Sequence, residues 1–228
     1  MAQLLIWAVW SWLLWRLLRW AWGRVFGSAF ARPAAPLYLA GEPRHLALAL
    51  AHPAGFARVG KPYAEGDVPA YAPEEQQRMR RSLLHQLGLS GEVSSDDVIR
   101  RQVSRLLREQ WWRLDLADPR PGEDPLDALA FACARVAVGT RHAAALGWID
   151  ADLQWQVLML NLQRAAECFD GWDSYGRAWA RGRRQWLVTS RADTLGLHFS
   201  EADVSQWLAD QDHPWSQLPW PARTAEVR

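Results

Sequence analysis

From Pro73 onward the chain is cut by helix-starting and helix-ending residues into segments of helix length, and between the cuts apolar positions recur at threes and fours. Asp124 and Pro125 suit the N-cap and first helical position of a segment, Leu126 to Leu146, that Gly147 ends. Asp150 caps the next, whose apolar positions Leu153, Trp155, Val157, Leu158, Leu160 and Leu162 are too dense for a surface helix and predict the central one. Asp170-Gly171 breaks the chain before a helix from Trp172 to Val188, and Ser200 with Asp203 forms a capping box ahead of Val204 to Leu208. Upstream, Pro73, Glu74 and Glu75 make a favourable first turn for a helix that runs to Gly88 with Leu83, Leu84 and Leu87 on its core side. Ser94 and Asp97 open another over 95–114, with Val98, Val103, Leu106, Leu107 and Trp111 apolar and Arg100, Arg101, Arg105 and Arg108 on the other arc, which reads as a solvated face. No stretch shows sustained period-two alternation, so the expected fold is all-α: a compact domain of about six helices over 73–228, with an internal boundary near 115–125 and an irregular tail around Pro214, Pro219 and Pro221.

Ahead of that domain the sequence changes character. Leu4 to Trp15 is an unbroken apolar run, and six of the sixteen tryptophans lie in the first 22 residues. On a helix, Trp7, Trp10, Leu14, Leu18, Ala21 and Trp22 share a wide apolar face, while Arg16, Arg19 and Arg24 fall on the other side with Val9, Trp12, Leu13 and Trp20. The run is shorter than the roughly 20 residues that span a bilayer, but snorkelling arginines extend it, and tryptophan favours the membrane interface. Residues 1–30 therefore read as a membrane-associated helix, with Trp7, Trp10, Trp12, Trp15, Arg16, Arg19, Trp20 and Trp22 as its contacts and the body on the cytoplasmic side, attached to the inner face of the membrane. A buried helix completing a soluble core is the competing reading. A cleaved signal fits less well, because the positive charge follows the apolar core instead of preceding it. Residues 31–72, with Pro33, Pro36, Gly41 and Pro43, read as an irregular linker holding one short apolar helix from Glu42 to Ala51.

Charge and composition exclude several chemistries. The net charge is +1, but the first 41 residues hold four arginines and no acid, which leaves −3 for the remaining 187. Such a body carries no field for nucleic acid, and none is expected as a partner. Lys61 is the only lysine beside 25 arginines, a bias that a GC-rich bacterial genome gives without selection. Cys133 and Cys168 lack the paired neighbours of a zinc site, and His45, His52, His85, His142, His198 and His213 fall in no metal-binding spacing, so no metal or cofactor is expected. Phosphate loops and nucleophile elbows have no match in the sequence.

The second half carries an ordered series: Gly147-Trp148-Ile149, Trp155, Trp172-Asp173-Ser174-Tyr175 and Gly182-Arg183-Arg184-Gln185-Trp186. Over roughly residues 83–188 it resembles the bacterial domain of unknown function 1266 family, in which an arginine-bearing helix leads to Gly-Tyr-Ile, then an Ala-Trp pair, Ser-Trp-x-x-Tyr and Gly-Arg-x-x-Trp. Arg135 and Arg141 stand where the family's arginines would. Trp148 replaces the tyrosine, Gly171 the serine, and Ala132 the aspartate three residues before the first arginine, with Asp127 the nearest acid able to substitute. The resemblance implies a helical domain without an assigned activity.

Read without the family, Tyr175, Trp179, Gly182 and Trp186 fall on one helical face, with Gly182 small enough to let a neighbouring helix close in and Arg183 placed to pair with a carboxylate or stack on an aromatic. The candidate binding residues are Arg135, Arg141, Trp155, Trp172, Tyr175, Gly182, Arg183 and Trp186. The expected function is a non-catalytic interaction module for a protein partner, of which a toxin-neutralising or secretion-associated protein is one concrete version. The alternative is an anion or small-molecule binding protein, or an enzyme, in which Arg135, Arg141 and Arg183 converge on one pocket.

Overall fold

The computed structural model describes residues 43–52, 71–87, 89, 95–110, 122–190, 199–211 and 213–221. They form eight helices and no strand: α1 Pro43–Ala49, α2 Pro73–Gln86, α3 Asp96–Gln110, α4 Pro125–Ala145, α5 Ala151–Cys168, α6 Trp172–Ser190, α7 Glu201–Ala209 and α8 Pro214–Gln217. The Trp-rich segment, most of the linker, the breaker-rich boundary, Gly88, Ser94 and Trp111 lie outside the described residues.

The punctuation acts as its chemistry requires. The Asp124 carboxylate accepts the Leu126 and Asp127 amides (2.8 and 3.4 Å) ahead of Pro125, and Asp150 accepts that of Leu153 (2.8 Å). At the end of α4 the amides of Gly147 and Trp148 return to the carbonyls of Ala144 and Ala143, both at 2.9 Å, with Gly147 at φ +67°. This is a Schellman turn, and only glycine adopts that φ without strain. The turn drives Trp148 and Ile149 back into the core. Before α7, the Ser200 amide and hydroxyl donate to Asp203 (2.6 and 2.7 Å), which holds its carboxyl below the ordinary range.

The central helix is α4, not the expected α5. Thirteen of the fourteen residues from Ala130 to Ala143 are buried, and the exception is Arg135. Eight of those fourteen are Ala, Gly, Cys or Thr. Short side chains make a thin rod that neighbours approach from every side, so a helix can be central without dense large hydrophobics. α5, dense as it is, leaves Trp155, Met159 and Leu160 half-buried.

α4 separates two packed regions. On one side Leu83, Ile99, Val103, Leu107, Val136, Trp148, Leu153 and Val157 form an aliphatic cluster from α2 to α5. The α3 seam is Ile99, Val103 and Leu107, one every fourth residue; Val98 and Leu106 are only half-buried, and Arg100, Arg101, Arg105 and Arg108 are exposed as expected. On the other side, α1, α6, α7 and α8 build a cluster rich in aromatic rings.

The short helix expected between Glu42 and Ala51 is present as α1, and it is part of the core, with Leu46 to His52 buried without exception. The tail expected to be irregular is so only in part: Pro214–Gln217 is a helical turn whose Trp215 is 2% exposed, and residues 218–221 follow without helix. Trp215 stacks on Trp172 (centroids 5.5 Å, 11°) and Trp220 meets Trp172 edge-on at 4.6 Å. Proline at the first helical position starts a helix as readily as it breaks one.

Candidate functional site

The crossing of α4 and α6 is set by Gly182. A Cβ there would lie 2.0 Å from the Asp127 carbonyl oxygen and 3.1 Å from the Phe131 Cβ, so the two backbones touch. Around this contact the α6 face arranges itself as the spacing predicts, with Tyr175 and Trp179 fully buried and Trp186 half-buried at the rim. Tyr175 donates its hydroxyl to the Leu50 carbonyl (2.8 Å), and burial pushes its pKa well above the ordinary tyrosine value. The indole of Trp172 donates to the Leu218 carbonyl (2.8 Å), that of Trp215 to Ala49 (2.8 Å) and that of Trp220 to Phe169 (3.0 Å). These four bonds tie α1, the end of α5, α6 and the C-terminal segment together by pairing polar tips that burial would otherwise leave unsatisfied.

Beside Gly182, the acid that the sequence offered as a substitute is in use. Asp127, 3% exposed, accepts a bidentate pair from Arg181, with Nε to Oδ2 at 2.9 Å and Nη2 to Oδ1 at 2.8 Å, while Arg181 Nη1 reaches Glu201 Oε2 at 3.0 Å. The hydrogen bond to Asp127 raises the guanidinium pKa further. This bridge joins α4, α6 and α7. Arg181 was not among the candidates, because its partner is 54 positions away and no local signal marks the pair.

The three candidate arginines sit in three different surroundings. Arg135 is half-buried, with its guanidinium over Trp186 at 5.0 Å and over Phe131 at 5.8 Å. Arg183, 3% exposed, lies over Phe199 at 5.2 Å, so the aromatic stack that the sequence offered is formed. Arg141 is fully buried on α4 and faces Tyr71, whose hydroxyl burial pushes up while the Arg141 charge pulls it down. Of the three, only Arg135 borders the cavity between α2, α3 and α4, which is lined also by Leu83, Gln86, Leu107, Val136 and Thr140. At about 20 Å³ it has room for no more than a single water. Trp155 stands apart on α5, half-exposed beneath the exposed Arg44 at 4.7 Å.

Burial holds Cys133, His52 and His213 in their neutral forms. Burial pushes the Cys133 thiol up to about 12, which removes the thiolate a nucleophile requires. His52, at the end of α1, and His213, the N-cap of α8, lie edge to face at 5.3 Å. Burial first, and His213 next, lower His52 to about 3, and burial lowers His213 to about 4. His213 Nδ1 accepts the Trp215 amide (3.2 Å), a bond that needs this nitrogen unprotonated. Among the described residues no three His, Cys, Asp or Glu side chains are grouped to hold a metal ion, and no helix is long and apolar enough to cross a membrane. The proposed membrane contacts Trp7, Trp10, Trp12, Trp15, Arg16, Arg19, Trp20 and Trp22 lie outside those residues.

A family model of proteins of unknown function, DUF1266, matches residues 59–220, more than half of the chain. The chain belongs to the DUF1266 family. Neither the curated proteins nor the solved structures contain a match. The DUF1266 match takes in α2 to α8 and starts after α1, although α1 is buried in the same core.

Proposed function

We propose that this DUF1266 protein is a non-catalytic helical interaction module whose partner surface is centred on Arg135 and Trp186. The observation that carries the reading is the Arg135 guanidinium stacked on the half-buried Trp186 ring at 5.0 Å, with Phe131 beneath. Arginine and tryptophan are enriched among the residues that dominate binding at protein interfaces, and stacking on the ring orders the guanidinium in advance. The cost of immobilising two large side chains is met on folding, before any partner arrives. Arg44 over Trp155 repeats the arrangement on a second face.

The inward-facing groups support the same reading. Arg183 is stacked in the core, Asp127 is held by Arg181, and the Cys133 thiol and the two histidines are kept neutral by burial. Chemistry at these positions would need them exposed and poised near neutral pH.

The test is capture from native cells with the full-length protein, an Arg135→Ala variant and an Arg184→Ala control, with thermal melting to establish that all three fold. A stoichiometric protein bound by wild type and the Arg184 variant but lost with Arg135→Ala supports the proposal. An anionic metabolite bound in place of a protein would move the reading to a ligand site, and equal capture by all three would remove Arg135 from the interface.

A further inference from the structure

The face of α3 that points away from the core carries three arginines in line. At about 100° per residue, Arg101, Arg105 and Arg108 fall within an arc of about 60°, opposite the buried seam of Ile99, Val103 and Leu107. From first to last they extend about 10 Å along the helix axis. All three are exposed, and none takes part in the ion pairs found among the described residues. Their neighbours differ: Arg80 holds Asp96 at 2.6 Å, Arg100 lies 3.9 Å from Asp97, and Arg78 lies 4.0 Å from Glu75. The acids at the start of α3 are thus engaged by other arginines. Glu109 stands one turn on from Arg105 and Asp97 one turn before Arg101, each about 40° round, so an exposed acid flanks each end of the row.

We propose that this arginine row docks on the surface of an anionic bilayer. The geometry selects a planar partner. The side chains are exposed and spread along about 10 Å of one helix face, so a small anion would meet one guanidinium, while a sheet of phosphate head groups meets all three together. Described aromatic side chains are absent from the row, so bases of a single-stranded nucleic acid would find no stacking platform there. The body after residue 41 sums to −3, so its net charge supplies no general attraction to a polyanion and any attraction must be local. The first 41 residues supply a second membrane-directed signal in sequence, four arginines without an acid among six tryptophans, and two weak signals together give stable anchoring where one gives marginal binding.

The experiment measures partitioning of the full-length protein onto vesicles of pure phosphatidylcholine and of phosphatidylcholine with 30% phosphatidylglycerol, a composition of about this content being enough to give a negative surface. Wild type is compared with Arg101→Gln/Arg105→Gln/Arg108→Gln and with Arg108→Gln alone. Glutamine keeps the helix propensity of arginine, and the three positions are solvent-facing, so both variants retain the fold. The expected result is a loss of about fivefold on anionic vesicles for the single change and about a hundredfold for the triple change, no change on neutral vesicles, and loss of the anionic preference in high salt. Equal partitioning of wild type and triple variant overturns the proposal, as does failure of wild type to prefer anionic vesicles. Loss of a captured acidic protein in the triple variant without any change on vesicles also overturns it, and assigns the row to that protein.

Discussion

The two regions on either side of α4 are held together by different physics. The aliphatic cluster of α2 to α5 packs side chains whose positions follow helical periodicity, so each helix brings its own apolar stripe and the cluster needs little beyond shape and area. The aromatic cluster of α1, α6, α7 and α8 is closed by directional contacts between residues far apart in sequence: the Trp215 indole on the Ala49 carbonyl spans 166 positions, and the Tyr175 hydroxyl on Leu50 spans 125. One region tolerates exchange of similar volumes, whereas the other requires a donor, an acceptor and a ring plane to coincide.

Gly182→Ala tests the wall between the regions and carries the largest expected effect. Relief of a Cβ 2.0 Å from a backbone oxygen demands separation of α4 and α6, so the loss should reach about 3 kcal/mol or more despite the better helix propensity of alanine. Thermal unfolding of the variant measures it, and a change below about 1 kcal/mol would mean the helices cross elsewhere. Trp215→Phe keeps most of the ring but strands the Ala49 carbonyl, and about 2–3 kcal/mol should be lost in urea titration.

Acid separates the regions next. His52 and His213 titrate near 6.5 when unfolded and near 3 and 4 when folded, so the unfolded chain binds more protons below pH 6.5. Stability is therefore full above that value and falls as pH drops toward 4, by about 2 kcal/mol per histidine at pH 5. His213→Asn retains an N-cap residue and should flatten the pH dependence of the melting temperature; an unchanged slope would show that His213 is not buried neutral. Smallest is Ile99→Val in the aliphatic seam, at about 1 kcal/mol with the pH dependence of wild type.

The same contrast explains what the sequence makes legible. Helix starts and stops are local chemistry, and the capping aspartates, Gly147 and the Ser200–Asp203 pair all lie where the side chains indicate. The close approach at Gly182 is also readable, because a glycine among large rings on one helical face has a steric meaning. The central place of α4 is not, since a sequence scan weighs apolar bulk and α4 is central through small size. The Asp127–Arg181 bridge and the buried C-terminal turn are non-local, and no periodicity encodes which helix a distant proline-bounded tryptophan will meet. The stack of Arg183 was readable as a type of contact, but its partner Phe199, sixteen positions on, was not.

Whether the inner arginines close a core or line a pocket is decided most directly by arginine-specific labelling of the folded protein with phenylglyoxal, mapped residue by residue by mass spectrometry. Fully buried Arg141 and nearly buried Arg183 should stay unmodified while Arg101, Arg105 and Arg108 react quickly and the stacked Arg135 reacts at an intermediate rate. Rapid modification of Arg141 and Arg183 together would contradict the closed core and restore a shared pocket.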